Sequence, residues 1–430
     1  MPEIKPFRGI LYNPEKVRLP EVVAPPYDVI SPQQQDDLYQ LSPHNIIRLI
    51  LNRDEDRYNS AAKFFEEWLR DGTLVRDQLP AVYLLSQHFV TPGDKVIIRN
   101  GFIAACRLEE FGRGSVLPHE KTLAKPKEDR LRLFTATKAM FSQIFALYSD
   151  PNHTLSQVLA KEMNRAPEID IEFEAVRQRV WKITDDRVTL AIGEYLLRQH
   201  VLVADGHHRY ETAIAYCNAQ RLHNPNHSGK EAYNFVPMFF TDMHEPGLVI
   251  LPTHRILHGI ADFNQEKMIR DIGQVFELET QQTYEQLAGA LAGQPAHSFG
   301  MILPASPEFT LLRLKKQAGR SIPGVPPLLL QLDATILHAL ILKNILHLSD
   351  EDQAKKLNLD YEKDAQDALQ AVQNGRAQAA FLMNGTPIEQ VRAIAEAGHT
   401  MPQKSTYFYP KLLSGLVTYS FIDDTTNTKS

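Results

Sequence analysis

At 430 residues the chain exceeds what one ordinary hydrophobic core organises, so two or three domains are expected. Its 43% hydrophobic and 23% charged residues exclude a disordered chain, and a net charge of −6 lacks the global basic footprint of a dedicated nucleic-acid binder. The two cysteines, Cys106 and Cys217, sit in apolar contexts and read as reduced core thiols, with neither a disulfide nor a metal site, which points to the cytosol.

In chain order, the first hundred residues predict a loop-rich start containing Pro25-Pro26-Tyr27-Asp28, a strand at Ile46 to Leu51 and an amphipathic helix near Ala61 to Leu69. Two β-rich runs follow, Tyr83 to Val90 and Lys95 to Arg107, joined by the Pro-Gly turn signal at Thr91 to Asp94. After a polar break at Gly112 to Ser115 come Pro118-His-Glu-Lys-Thr122 and a helix on which Leu133, Ala136 and Met140 share a face. Strands are expected at Ile169 to Phe173 and Val180 to Thr184, then a helix near Val188 to Leu197. Beyond a polar loop at Asn224 to Gly229, Phe235 to Phe240 and Leu248 to Leu251 read as a strand pair leading into Pro252-Thr-His-Arg255.

From about residue 260 helices alternate with strands: Gln265 to Gly273, Tyr284 to Leu291, Phe299 to Leu303 and Thr310 to Leu314. The apolar run Leu328 to Leu342 carries Gln331, Asp333, Thr335 and His338, which suits a core helix and not a membrane span. A buried strand at Ala379 to Met383 and a helix through Ile388, Val391 and Ala395 precede Met401 to Lys411, which Pro402 and Pro410 bar from regular helix. The expected class is mixed α/β without repeats. The expected division is 1–115 as an N-terminal α/β portion, 116–260 as a phosphate-binding core and 261–430 as a C-terminal α/β portion.

The most informative stretch is Val201 to Ala213, where an apolar strand runs through Asp205-Gly206 into a helix opening His207-His208-Arg209. First-turn N–H groups and the positive end of a helix dipole make a phosphate or carboxylate the natural ligand, with the Arg209 guanidinium as a clamp. The alternative is a plain βα junction in which Asp205 caps the helix and the histidines are surface. Adjacent histidines point about 100° apart, unlike the i, i+4 pair that grips zinc, so a metal site fits poorly. Lys404, Ser405 and Thr406 offer an ammonium and two hydroxyls on a loop anchored by Tyr407, Phe408 and Tyr409, facing either a ligand or solvent. His254 and Arg255 could hold an anion or pair with a carboxylate.

Six ordered motifs carry a family resemblance: Pro6-Phe-Arg-Gly9, Ala24-Pro-Pro-Tyr-Asp-Val-Ile30, Pro118-His-Glu-Lys-Thr122, Ala204-Asp-Gly-His-His-Arg-Tyr210, Leu251-Pro-Thr-His-Arg255 and Met401-Pro-Gln-Lys-Ser-Thr406. In these the chain resembles the family catalogued as domain of unknown function 1015. More distantly, Asp205 to Arg209 resembles the phosphate-binding signature of the ParB and sulfiredoxin-like superfamily, above all its free-serine kinases, whose Pro-His-Glu element matches Pro118-His119-Glu120.

That resemblance implies a ParB/sulfiredoxin-like nucleotide-binding core with large N-terminal and C-terminal additions. It implies a phosphotransferase using ATP or ADP, with Mg²⁺, on a small hydroxylated metabolite such as free serine. Glu120 would be the general base, assisted by Asp205 and His208, and Asp205 would orient a histidine or help hold the ion. Gly206, His207, His208 and Arg209 would bind the nucleotide. His119, Tyr27, Asp28, His254, Arg255, Lys404, Ser405 and Thr406 would meet the substrate. The alternatives are phosphatase or reverse phosphoryl transfer at the same site, or a non-catalytic nucleotide or nucleic-acid module; the acidic balance and the lack of a helix-turn-helix signature weigh against nucleic acid, and no membrane partner is expected.

Overall fold

The computed structural model describes residues 1–91, 95–120, 124–294, 296–304, 306, 308–319 and 322–422. Its chain is mixed α/β and divides into two compact units: Met1–Pro118 with Thr122–Val249 and Pro410–Ser430, and His119–Lys121 with Ile250–Tyr409. The expected three-part division differs from this. Lys95–Arg107, from the expected first part, and Phe235–Asp242, from the second, are neighbours in one sheet, so main-chain hydrogen bonds run across the 115/116 boundary.

The first unit is built on a nine-stranded sheet among the described residues. Its path runs Val116–Leu117, Val201–Asp205, Ile144–Tyr148, Phe235–Asp242, Lys95–Arg107, Val82–Thr91, Val176–Ile183 and Ile169–Phe173, with Ile4–Lys5 added alongside Lys95–Arg107. Only two of these pairings are parallel, Val116–Leu117 with Val201–Asp205 and Ile144–Tyr148 with Phe235–Asp242. The central strands are buried along most of their length, which is why they read as continuous apolar runs. Gly101 sits in the middle of this sheet because a Cβ there would collide with the Phe240 carbonyl oxygen and the Phe239 ring.

Several boundaries differ from expectation, each for a local reason. Ile47–Ile50 is a short helix and not a strand; Asn45 accepts the Ile47 N–H at 2.9 Å, and a short run buried on all sides has no period to distinguish the two. The helix Ala124–Thr137 stops before Met140, since Lys138 takes a left-handed conformation and Ala139–Met140 is a strand. Val249–Leu251 does not pair with Phe235–Asp242, whose two edges are already taken. The expected turn residues 92–94 lie outside the described residues, as do Lys121 and Thr122 of the Pro118 motif.

The second unit carries a six-stranded antiparallel sheet, ordered Phe276–Gln281, Phe309–Leu314, Ser298–Ile302, Ala379–Leu382, His254–Leu257 and Leu359–Glu362. Alternation assigns its two faces. Leu257, Met301, Leu312 and Phe381 pack with the helix Gln265–Val275 and the segment 333–345, while Ile256, Ile302, Leu311 and Leu382 pack with Tyr284–Ala292 and Ala365–Gln373. The expected core helix at Leu328 to Leu342 is in fact three pieces: a 3₁₀ turn Leu329–Gln331, an α-helical turn Asp333–Ile336 and a π-helix Leu337–Ile345. Among the described residues no helix is long and apolar enough to cross a membrane.

Both cysteines are free and buried, and burial pushes both thiols above their ordinary range. The glycines give a paired test of the packing. Gly101→Ala should lower stability by about 1–3 kcal/mol through overpacking, whereas Gly193→Ala, in the helix Asp186–Leu196 with open space around it, should raise it by up to about 1 kcal/mol. Urea denaturation of both variants checks the opposite signs.

Candidate functional site

The Val201–Asp205 strand delivers the turn. Its register against Ile144–Tyr148 shifts between Val203 and Asp205, which turns Asp205 out of the regular ladder at the strand end. Gly206 follows with φ +92°, a left-handed conformation that a side chain would strain, and the 17-residue helix His207–His223 begins at once. Tyr210 donates the first helical bond to the Gly206 carbonyl at 2.9 Å. Gly206 occupies the cap position and has no side chain to offer.

Asp205 is used differently. Arg209 donates to one of its oxygens at 2.8 Å and Lys411 to the other at 2.6 Å. Arg209 is only 4% exposed, and it also donates to the Ser142 hydroxyl at 2.9 Å and to the Gln143 carbonyl. The expectation that Arg209 clamps a ligand is thus corrected: its guanidinium lies against Gly206 and props the turn from inside. Arg99 is buried in the same unit, donating to Gln87 at 3.0 Å and lying 4.7 Å from the Phe145 ring centre. Burial lowers its pKa to about 9, opposed by the charge of Asp205, so it stays a cation at neutral pH. Three cations therefore surround one carboxylate beneath a helix N-terminus, and the field at the turn favours an anion.

Of the other expected residues in this unit, His207 is buried, with its ring 6.5 Å from Phe111, while His208 is half-buried. Tyr27 stacks on Arg130 at 4.1 Å, and burial together with Asp28 raises its pKa to about 12. Tyr27, Arg130, Ser142 and Arg209 line a cavity of about 10 Å³, room for about one water and no metabolite. Asp28 is exposed.

The second unit holds the rest: His119, Glu120, His254, Arg255, Lys404, Ser405 and Thr406. His119 is buried and its Nε2 lies 3.0 Å from the Thr406 hydroxyl. Glu120 bridges to Met401 in parallel, and the Met401 N–H donates to the His119 carbonyl at 2.8 Å, which joins two motifs distant in sequence. Ser405 and Thr406 are buried, and the Ser405 hydroxyl donates to the Pro402 carbonyl at 2.7 Å. The Ser405 hydroxyl therefore closes the loop on itself and the Thr406 hydroxyl lies against His119, so neither faces a ligand as expected. Lys404 is half-buried with φ 56°.

His254 is 4% exposed, and its Nδ1 accepts the Met383 N–H at 3.1 Å. Arg255 is 1% exposed, with Nε donating to His338 Nε2 at 3.2 Å and Nη1 donating to the Thr253 carbonyl. Among the described residues it forms no ion pair with a carboxylate, although Glu120 acts on it through space.

Sequence reasoning missed Arg99, Ser142, Gln143 and Lys411 around the turn and Tyr361 and His338 around Arg255. A lone cation inside the apolar run Val96 to Phe102 was the one available signal for Arg99. Among the described residues no three His, Cys, Asp or Glu side chains stand as metal ligands. With both oxygens of Asp205 bonded to cations, that carboxylate does not fit the expected role of holding Mg²⁺.

The chain belongs to the family described as "Protein of unknown function (DUF1015)", whose model matches residues 4–335. No curated protein matches it. Among solved structures it is similar to a conserved hypothetical protein from Pyrococcus furiosus, with 15% identity, 71% of this chain and 92% of that one covered, and TM-score 0.35. It is similar to a free serine kinase in complex with AMP at 14% identity, covering 68% and 83%, TM-score 0.34. SbnI with a C-terminal truncation, from Staphylococcus aureus, gives 12% identity, 70% and 83% coverage, and TM-score 0.36.

Two measurements check the geometry. Arg209→Ala should cost about 3 kcal/mol or more by chemical denaturation, because it removes a buried guanidinium bonded to Asp205, Ser142 and Gln143; a loss below about 1 kcal/mol contradicts its role as a prop. Burial, then the charge of Arg255, lowers the His254 pKa from 6.5 to about 4. The unfolded chain therefore binds more protons between those values, so this contribution is complete above pH 6.5 and is lost as pH falls toward 4. At about pH 5 the fold should have lost about 2 kcal/mol from this group, and His254→Asn should flatten that part of the pH profile.

Proposed function

We propose that the chain is a nucleotide-dependent phosphotransferase acting on a small hydroxylated metabolite, with free serine as the acceptor that the motif resemblance favours. The observation that carries this reading is the N-terminus of the helix His207–His223, opened by a left-handed Gly206, with the cations Arg99, Arg209 and Lys411 all acting on the adjoining Asp205. Such a turn suits the phosphates of ATP or ADP, held by the main-chain N–H groups of residues 206–208, with His208 at its rim.

Arg209 and Lys411 act as positioning residues in this reading, fixing Asp205 so that the turn keeps its shape. Glu120 takes the general-base role: its carboxylate accepts the proton of the acceptor hydroxyl while that oxygen attacks the terminal phosphorus of the nucleotide. The bond from phosphorus to the bridging oxygen breaks, and the nucleotide leaves one phosphate shorter, as ADP from ATP or AMP from ADP, with the electron pair. A divalent ion would neutralise phosphate charge when bound, and Asp205, with both oxygens held by cations, does not suit it as a ligand.

A nucleotide panel read by thermal shift tests the reading, since a ligand at 100 times its dissociation constant stabilises the fold by about 2.7 kcal/mol. ATP or ADP should raise the melting temperature and adenosine should not. With a nucleotide and serine, Glu120→Gln should retain nucleotide binding and lose turnover by at least about a hundredfold. No shift with any nucleotide, or unchanged turnover in Glu120→Gln, overturns the assignment.

A further inference from the structure

Arg255 leaves one of its donors unspent. Of its nitrogens, Nε is bonded to His338 and Nη1 to the Thr253 carbonyl, but Nη2 is fully enclosed and has no hydrogen-bond partner. Tyr361 stands directly across the antiparallel pair from Arg255, its ring centre 5.0 Å from the guanidinium carbon, and its hydroxyl is also enclosed without a partner. His338 is neutral, because burial and the adjacent Arg255 charge hold its pKa well below the ordinary value, so its Nε2 can only accept from Arg255. Burial likewise lowers the Arg255 pKa to about 10, which leaves a cation at neutral pH. An enclosed cation with a spare N–H, beside an enclosed spare hydroxyl, costs stability.

We propose that Arg255 Nη2 and Tyr361 Oη form the receptor for the carboxylate of the acceptor substrate. Two donors side by side match the two oxygens of a carboxylate. A phosphate dianion would leave its third oxygen unbonded and bring a second negative charge into the field of Glu120, which already acts on both Arg255 and Tyr361. That same field favours a hydroxyl or ammonium elsewhere on the ligand. The substrate class is therefore a small carboxylate that carries a hydroxyl, with an amino group accommodated. Entry requires the half-buried Tyr361 ring to move aside and return with its hydroxyl on the ligand.

This deepens the phosphotransferase reading and rests on it for the identity of the acceptor, but it is tested by binding alone. Isothermal titration of the full chain uses L-serine and glycerate as carboxylate probes, serinamide and ethanolamine as carboxylate-free ones, and ADP as a separate arm. L-serine or glycerate should bind at least about tenfold more tightly than the carboxylate-free probes. Tyr361→Phe keeps the ring and removes only the partnerless hydroxyl, so it should weaken carboxylate binding about fivefold, keep or raise the melting temperature and leave ADP affinity unchanged. Arg255→Gln should abolish carboxylate binding if it folds; Tyr361→Phe decides the matter if it does not. Equal binding of serinamide and serine, unaltered carboxylate affinity in Tyr361→Phe, or ADP binding with no carboxylate binding overturns the receptor. Carboxylate binding without ADP binding overturns the nucleotide site and leaves the receptor standing.

Discussion

The pairing of Asp205 with Arg209 on one side and Lys411 on the other governs what the first unit can do. A carboxylate one residue before a left-handed glycine at a helix start would ordinarily fold back onto the first N–H groups and close them off. Here both of its oxygens are held by cations, so the aspartate acts as a brace. Because Arg209 also reaches Ser142 and Gln143, the brace ties the strand end to the neighbouring strand Ile144–Tyr148 at its start. Lys411 adds a segment some two hundred positions later in the chain, so the turn is fixed from three directions.

How much of this could be read from the sequence follows from distance along the chain. The strand, the glycine turn and the helix over residues 201–217 are one local signal, and the buried strands of both units declare themselves by apolar runs or alternation. Arg209 could not be assigned a direction. The first turn of a helix can present a guanidinium to solvent or to the core, and what decides is the acceptor pair at Ser142 and Gln143, far away in sequence. The same holds for Thr406, whose hydroxyl lies against His119 from a distant part of the chain, while the Ser405 hydroxyl is taken up within its own loop. Domain division failed for a related reason, since sheet neighbours such as Lys95–Arg107 and Phe235–Asp242 are separated by more than a hundred residues and no linker marks their partnership.

In the second unit, burial changes what familiar residue types mean. His254 would be an ordinary titrating surface group by composition, yet it is a neutral acceptor for a main-chain N–H. His338 plays the same part toward Arg255, and its place in a π-helix is what brings it there. Neither role leaves a mark in the sequence, because each depends on a partner far along the chain, Met383 for His254 and Arg255 for His338. The motif Leu251-Pro-Thr-His-Arg255 was visible; the enclosure that gives its arginine an unspent donor was not.

The π-helix Leu337–Ile345 has one consequence for how this chain can change length. Its main chain bonds over five residues, as in Leu346 donating to Ile341 at 2.9 Å, so each of its turns holds about one residue more than an α-helix would use. It is a stretch with slack wound into it. Removing one residue would let a turn relax to ordinary α-helical bonding, and the tighter winding would offset most of the roughly 100° that one lost residue takes away. His338 would then stay near Arg255, and Leu340, Ile341 and Leu342 would keep their seats in the core. A chain one residue shorter here would keep its secondary structure and, to within a fraction of a turn, its alignment.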